Sequence, residues 1–346
     1  MTYRSICSLV VLLVLLGLSG RGAHSQEFSE SISRVGEEYA RGYVAPLVDA
    51  LGTNFNAGLV PAATLGSGTN GITVYFGVKA FGAFVPEDRK RFSISYVNDV
   101  PISRELGTET IELNVPATFT IEQAPSFFGE SDAGEMMVRI QQDTTFSYLG
   151  LTLPISFDTT FTLQGIGGIW NTGVAPFLVP EVVLGTFLGT SVMLRWVPGF
   201  SVENSERMDF LGFGVQHSLN PYMPGLPVNV GVQAVWQRAG AEDDQGNQVV
   251  RMTTFAANVH VGKRFGLLGV YGALQSEQSR AQLRYEYIPS AQDSDLAPVP
   301  MRFTVAGANK MRVVLGLDLE LGLFHANTDI SIGRMNSMSL GLGLAY

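Results

Sequence analysis

The stretch Met338-Ser339-Leu340-Gly341-Leu342-Gly343-Leu344-Ala345-Tyr346 decides the fold of this 346-residue chain. Large side chains occupy every second position, and Ser, Gly or Ala lies between them. Side chains of a β-strand alternate between two faces, so one face of this segment is continuously apolar and the other is almost bare. An unpaired apolar strand at a sheet edge favours aggregation. Pairing of the last strand with the first strand of a closed membrane barrel removes that edge.

The same alternation recurs along the chain, most clearly in five leucines that alternate with glycines and acids between Leu315 and Leu323. At roughly 3.4 Å per residue this segment is about 30 Å long, enough to cross a bilayer core when tilted by about 40°. A β-sandwich with the leucines in its core and the acids in water is the alternative. Repeated strands of this length favour the barrel, because strands of globular proteins are usually shorter.

The alternating segments and the turns between them give fifteen candidate strands. They are 71–84, 90–99, 108–122, 135–148, 151–164, 178–187, 190–200, 207–218, 227–238, 250–262, 266–276, 280–289, 310–322, 323–333 and 336–346. The segment 108–122 has the weakest pattern, because Pro116 and Pro125 interrupt it. Single-chain bacterial barrels have an even number of strands. We therefore predict an all-β, antiparallel transmembrane β-barrel over residues 71–346, with about 14 strands and with 12 and 16 as alternatives.

Residues 1–25 have the features of a secretory signal peptide, with a basic start, an apolar run from Ile6 to Leu18 and small residues before Gln26. An uncleaved anchor is the alternative, but a spanning helix needs about 20 apolar residues. Cleavage after Ser25 would remove the only cysteine, Cys7, and would change the formal charge from −9 to about −11. We therefore predict no disulfide, no metal or other cofactor, and no nucleic-acid partner.

Residues 26–70 differ from the rest of the chain. Between 31 and 52, apolar residues recur at helical spacing, whereas residues 53–70 are rich in Gly, Asn, Ala and Thr. The small residues on the inner faces of the predicted strands leave room for this segment. We predict that it plugs the barrel, through Tyr39, Tyr43, Pro46 and Leu47. A helix lying outside the barrel is the alternative.

The charged residues on the polar faces of the strands are the predicted functional residues. Strand alternation predicts that seven of them face the lumen: Lys79, Arg139, Asp158, Arg195, His260, Asp318 and Glu320. Internal ion pairs are commonly structural, so a lattice that stiffens the wall competes with a charged constriction that selects solutes. His260 is also the candidate base of a lipid hydrolase, but the sequence has no supporting catalytic motif.

Three stretches carry a resemblance to a known family: 43–58, 184–198, and 212–219 together with 224–227. They resemble an uncharacterised family of outer-membrane barrel proteins, a domain of unknown function in Bacteroidota-like bacteria. The alternating strand that ends in Leu340, Leu342, Leu344 and Tyr346 also resembles the C-terminal insertion signal of bacterial outer-membrane barrels. The predicted architecture is similar to that of long-chain fatty-acid transporters, in which an N-terminal segment plugs the lumen.

These resemblances imply a location in the outer membrane of a diderm bacterium. We expect a monomeric passive channel or transporter for small solutes, hydrophobic ones among them, and not an enzyme. Its expected partners are outer-membrane lipids, the barrel-assembly machinery during insertion and a small hydrophobic ligand. A structural or surface-interaction barrel with a sealed lumen is the first alternative, and a barrel lipid hydrolase is the second.

Overall fold

The computed structural model describes residues 36–60, 72–106, 109–131, 135–148, 151–164, 166–186, 189–202, 206–243, 246–287 and 299–346. The predicted signal peptide and its cleavage site lie outside these residues. The described elements are α1 (Glu37–Phe55), β1 (Thr73–Phe84), β2 (Arg91–Leu106), β3 (Glu109–Pro125), β4 (Glu135–Tyr148), β5 (Leu151–Gln164), β6 (Val174–Gly185), β7 (Thr190–Val202), β8 (Glu206–Ser218), β9 (Asn229–Glu242), β10 (Gln248–Phe265), β11 (Leu268–Tyr287), β12 (Val299–Ala306), β13 (Met311–Leu321), β14 (Phe324–Ile332) and β15 (Ser337–Ala345).

The chain divides into two compact units. The barrel unit contains Leu47–Pro86 and Gly173–Tyr346, and the second unit contains Val35–Pro46 and Glu87–Thr172. Helix α1 begins in the second unit and ends in the barrel unit. Among the described residues, no helix is long and apolar enough to span a membrane.

Ten antiparallel strands close into a barrel in the order β10-β9-β8-β7-β6-β1-β15-β14-β13-β11, and β11 returns to β10. The predicted pairing of the last strand with the first is confirmed. Lys79 of β1 lies opposite Gly341 of β15. Val74 and Tyr346 exchange two backbone hydrogen bonds of 2.8 Å at the end of this pair. The C-terminal strand therefore has both of its edges satisfied.

Strand β11 is long enough to pair with two successive segments on one side. Its first half pairs with β13 and its second half pairs with β12. Residues 307–310 lie between β12 and β13, where Gly307 donates to the Ser279 carbonyl and Glu277 donates to the Lys310 carbonyl. The predicted strands 266–276 and 280–289 are thus one strand. Strand β12 lies in the interval between the predicted strands 280–289 and 310–322, where no strand was predicted.

Strands β2 to β5 form a separate four-stranded antiparallel sheet. Pro116 does not end β3, which runs as far as Pro125. The prediction of about 14 barrel strands is therefore wrong, since ten close the ring. Likewise, the barrel does not run without interruption from 71 to 346. Strands of both sheets alternate with period two, so periodicity did not reveal which strands pair with which.

The barrel strands alternate between a buried inner face and an exposed outer face, as the sequence predicted. The outer residues of β13, β15 and β1 are almost all large and apolar, and Leu315, Leu342 and Phe76 are each about half exposed. The outer apolar row of β1 runs from Val74 to Phe84, which corresponds to about 25 Å along the barrel axis for a strand tilted by about 40°.

Candidate functional site

The barrel interior contains a fully buried triad of charged side chains. Lys79 of β1, Glu181 of β6 and Arg195 of β7 each have 0% relative exposure. Arg195 Nε donates to Glu181 Oε2 at 2.7 Å, and Lys79 Nζ lies 3.6 Å from Glu181 Oε1. One carboxylate thus faces two cations, and buried charges are tolerated only when such partners are present. The triad keeps an excess positive charge that needs further acceptors.

The further acceptors are backbone carbonyls at the end of α1. Arg195 donates to Phe55 O at 3.3 Å, to Ala57 O at 3.1 Å and to Gly58 O at 2.6 Å. Lys79 Nζ also donates to Gly58 O, at 2.5 Å. The last carbonyls of a helix have no partner within the helix and carry its partial negative charge. Arg195 therefore caps the C-terminus of α1, which ends at Phe55, and both cations bind the chain that follows it.

Three glutamines on other strands bind the same stretch of backbone. Gln237 of β9 donates to Phe55 O at 2.6 Å, Gln233 of β9 donates to Leu59 O at 3.0 Å, and Gln275 of β11 donates to Asn56 O at 2.9 Å. All three side chains are buried. Side chains of β1, β7, β9 and β11 therefore donate to the backbone carbonyls of five successive residues, Phe55 to Leu59.

A second buried ion pair holds the preceding turn of α1. Arg312 of β13 donates to Glu277 Oε1 at 2.6 Å and to Thr53 O at 3.2 Å. The insertion between β12 and β13 reaches the helix as well, because Asn309 donates to Thr53 Oγ1 at 3.1 Å. Asp49 Oδ1 accepts from the backbone of this insertion at 2.7 Å. Contacts from the barrel thus extend from Asp49 onward.

Apolar contacts complete the set at residues 59 and 60. Leu59 belongs to a buried cluster with Tyr75, Val183, Met193, Val235 and Ala256. Val60 belongs to another with Tyr271, Ala273 and Val314. We call residues 47–60 the N-terminal segment. It is bound to the barrel by polar contacts along 49–59 and by apolar contacts at its end and at Phe55, whose ring packs against Phe177 and Phe210.

Four of the predicted lumen residues lie on the buried face of the barrel strands: Lys79, Arg195, His260 and Asp318. Asp318 pairs with Arg264 at 2.5 Å, and Arg264 also pairs with the more exposed Glu320 at 2.9 Å. His260 is held by amides, with Nδ1 3.0 Å from Asn258 Oδ1 and Nε2 3.2 Å from Gln216 Nε2.

Arg139 and Asp158 belong to the separate sheet and not to the ten strands of the ring, so their predicted place on the barrel wall is wrong. They lie on β4 and β5 of the separate sheet and form an exposed, bidentate pair with N–O distances of 2.8 and 2.5 Å. The hydrogen bond from Arg139 holds the pKa of Asp158 below its ordinary value.

The predicted plug residues are divided between the two units. Tyr39, Tyr43 and Pro46 belong to the second unit, where Tyr43 Oη donates to Gly167 O at 3.0 Å. Only Leu47 belongs to the barrel unit. The barrel contacts come from 49–60, which extends beyond the predicted helix end at Gly52, because α1 continues to Phe55.

Sequence reasoning missed the partners of the predicted charges, namely Glu181, Arg312 and Glu277. Glu181 lies among apolar residues on both faces of β6, so no alternation marked its direction. Glu277 lies in the polar run between the predicted strands 266–276 and 280–289. The one available signal was Glu181, a lone acid in an apolar strand. A buried acid needs a cation, so its presence predicts a basic partner on a neighbouring strand.

Comparisons with known proteins give one family. The model of a family of unknown function, DUF6588, matches residues 3–346. No curated protein matches the chain significantly.

Solved structures similar to this chain are outer-membrane proteins. A loop L8 deletion mutant of OmpT from Vibrio cholerae is 9% identical, with 80% of this chain and 100% of that chain covered and a TM-score of 0.24. The Pseudomonas putida toluene transporter TodX is 11% identical, with coverages of 82% and 92% and a TM-score of 0.24. Pseudomonas aeruginosa OccK2 is 12% identical, with coverages of 80% and 96% and a TM-score of 0.20.

Proposed function

The chain belongs to the family of unknown function DUF6588, so its role has to be inferred from its own geometry. We propose that it is a monomeric outer-membrane β-barrel of a diderm bacterium, that the N-terminal segment plugs its lumen, and that it conducts small solutes when this segment moves. Outer-membrane lipids, and the assembly machinery during insertion, are its proposed partners.

The outer face of the barrel supports the membrane location. An aqueous protein rarely exposes a continuous apolar surface of this extent. Exposed arginines lie at one end of the apolar rows on β9, β10 and β11, at Arg238, Arg251 and Arg280. Lys263 lies at the opposite end of the row on β10. An apolar band about 25 Å tall between polar rims is the pattern of transmembrane barrels.

One observation carries the plug proposal. Buried side chains of β1, β7, β9, β11 and β13 all donate to backbone carbonyls between Thr53 and Leu59. Donors on strands distributed around a closed ring reach a single stretch of chain only if that stretch runs through the ring. A segment held in this way occupies the part of the lumen that these glutamines and cations line.

The chemistry of these contacts favours a movable plug over a permanent core. Most are hydrogen bonds to carbonyls, and each contributes only about 0.5–3 kcal/mol because water can replace either partner. Apolar side chains of the segment are buried as well: Phe55 packs on Phe177 and Phe210, and Leu59 and Val60 lie in the two clusters at its end. The donors and carbonyls that displacement of the segment would expose are groups that water solvates readily. The sealed structural barrel remains the competing function, favoured by the buried pair of Arg312 with Glu277.

A disulfide between Gly52→Cys and Ser279→Cys tests the proposal. A Cβ built at Gly52 lies 2.8 Å from Ser279 Cβ, so a shift of roughly 1 Å gives the 3.5–4.5 Å of a disulfide. The only natural cysteine is Cys7, which the predicted cleavage removes. The protein is inserted into planar bilayers, and its conductance is recorded before and after reduction, with each single-cysteine variant as a control.

We expect intermittent conductance in the reduced double variant and in both controls, and none in the oxidised double variant. Equal conductance in the oxidised and reduced protein would show that the segment is not the gate. Absence of conductance and of liposome swelling in every variant would refute transport and would favour the sealed barrel.

A further inference from the structure

A group of exposed arginines lies together on the outer face of β9 to β12, at the end of these strands away from the C-terminus. It consists of Arg238, Arg251, Arg280, Arg284 and Arg302. We call these five residues the arginine cluster. They occupy four neighbouring strands, and strand pairing decides how close they come to one another.

The strand register places the cluster around Arg251 of β10. Arg251 has Arg238 of β9 as its diagonal neighbour on one side. On the other side it has two diagonal neighbours, Arg280 and Arg284 of β11. Such neighbours are about 7–8 Å apart, within reach of long side chains. Arg284 also lies directly opposite Arg302 of β12. Like charges directly opposite one another destabilise a sheet, so this arrangement requires negative charge from elsewhere.

The described acids on this face do not neutralise the cluster. Asp209 of β8 lies 3.5 Å from Arg238, and the other four arginines form no ion pair within the described part of the chain. Glu286 lies two residues after Arg284 on β11 and is exposed. Glu242 of β9 lies opposite a sixth arginine, Arg207 of β8. Six arginines against these three acids leave an excess of three positive charges on this face.

Aromatic side chains lie beside the cluster, on the side of the apolar band. Trp236 lies two residues before Arg238 and opposite Phe255, and the two side chains are 42% and 40% exposed. The outer face continues through Val259 and Leu274, which lie opposite each other and are about half exposed. Aromatic residues mark the boundary between the apolar band and water in transmembrane barrels. The cluster therefore lies at the level of the headgroups of a surrounding bilayer.

We infer that the arginine cluster binds phosphorylated lipid headgroups that carry a net negative charge. The inference rests on the proposed membrane location and specifies the class of lipid partner. Guanidinium groups remain charged and bind phosphate oxygens through two parallel hydrogen bonds. The exposed aromatic and apolar side chains next to the cluster contact the acyl chains of the same lipid. This second contact favours a phosphate attached to acyl chains over a phosphate free in water.

Quenching of Trp236 fluorescence by brominated lipids tests the inference at the cluster itself. The chain has three tryptophans, so Trp170→Phe with Trp196→Phe leaves Trp236 as the only reporter. This parent protein is folded into phosphatidylcholine vesicles that contain equal fractions of either dibrominated phosphatidylglycerol or dibrominated phosphatidylcholine. Bromine quenches at short range, so the ratio of the two quenching efficiencies measures the headgroup preference beside Trp236.

We expect the parent protein to prefer phosphatidylglycerol. Arg251→Gln should lower this preference about fivefold, the change expected for one basic residue near an anionic surface. Lys263→Gln is the matched control, because Lys263 is an exposed cation at the opposite end of the same strand. It should leave the preference at Trp236 unchanged. Equal losses in the two variants would overturn the inference.

The stability of Arg302→Gln separates lipid binding from a purely structural role. In vesicles of phosphatidylcholine alone, the substitution removes the charge opposite Arg284, so the urea midpoint should stay the same or rise. In vesicles with phosphatidylglycerol it should fall below that of the wild type, because a bound headgroup is lost. The same change in both kinds of vesicle would overturn the inference.

The source of the phosphate is tested with the wild type in phosphatidylcholine vesicles. Inorganic phosphate should not raise the urea midpoint above that in sodium chloride of equal ionic strength. A rise as large as that given by phosphatidylglycerol would show that the cluster binds free phosphate, and would overturn the assignment to lipid.

Failure of this inference and failure of the proposed membrane location give different results. Equal quenching of the parent protein by the two brominated lipids would refute the headgroup site and leave the membrane location intact. Absence of quenching by either lipid would show that the outer face at Trp236 does not contact the bilayer, and would refute both.

Discussion

The substitution Arg195→Met should destabilise the barrel strongly, because Arg195 is the centre of the buried contacts at the end of α1. The side chain is fully buried and donates to Glu181 and to three backbone carbonyls. Methionine has a similar length and no donor. The substitution therefore leaves a buried carboxylate whose remaining cation, Lys79, lies 3.6 Å away.

The magnitude follows from which acceptors lose their partners. Removing one member of a buried ion pair costs about 3–5 kcal/mol. The carbonyl of Phe55 keeps Gln237 and that of Gly58 keeps Lys79. These two bonds reduce the cost of leaving the carbonyls unpaired. They do not replace the charge of Arg195 beside Glu181, so the cost of the uncompensated carboxylate remains. We expect a loss of about 3–5 kcal/mol in the free energy of unfolding.

Urea titration of the protein in lipid vesicles, followed by tryptophan fluorescence, measures this loss. The double variant Arg195→Met with Glu181→Gln should recover at least about 1 kcal/mol, because the uncompensated charge is gone. A single variant within about 0.5 kcal/mol of the wild type would refute the reasoning, since that range is ordinary for surface positions. Equal losses in the single and double variants would show that the charge of Glu181 is not the cause.

Three other predictions concern the outer face, an inner glycine and the second unit. Leu342→Arg should make insertion into vesicles less favourable by about 2–4 kcal/mol, measured by folding titration, whereas Leu342→Val should leave the free energy of insertion unchanged. Gly77→Ala should destabilise the barrel by about 1–3 kcal/mol, because its Cβ meets Tyr75 and a backbone carbonyl, whereas Gly272→Ala, with no atom closer than 3.5 Å, should be neutral or slightly stabilising in the same assay. Arg139→Gln should raise the pKa of Asp158 towards its ordinary value, which NMR titration measures. The stability that the lowered pKa supplies is present above the unfolded-state pKa and is lost as pH falls through the folded-state pKa. The variant should therefore lose less stability than the wild type on acidification.

The sequence predicted the strands and their faces well, because the alternation of side chains is a local property. It placed Lys79 and Arg195 on the inner face and Leu342 on the outer face, as the structure has them. It also predicted that the last strand pairs with the first, since an unpaired apolar edge is unfavourable in either solvent or lipid.

The candidate site was harder to predict, because its contacts join residues far apart in sequence. Arg195 binds carbonyls about 140 positions earlier in the chain, and no local pattern marks a carbonyl as the partner of a distant cation. The plug residues were misplaced for the same reason, since the helical stripe that includes Tyr43 identifies an amphipathic helix but not the surface that it covers.

By itself, the sequence determined that the chain forms two-faced strands, which residues lie on each face, and that the apolar C-terminal strand needs a partner. Only the tertiary structure decided that ten strands close the ring while β2 to β5 form another sheet, and that residues 49–60 meet the cations of the lumen. Alternation fixes the direction of a side chain because each residue has only two faces to choose from. Strand pairing and charge pairing depend on which distant segments come together, and period-two strands are too much alike for alternation to specify that.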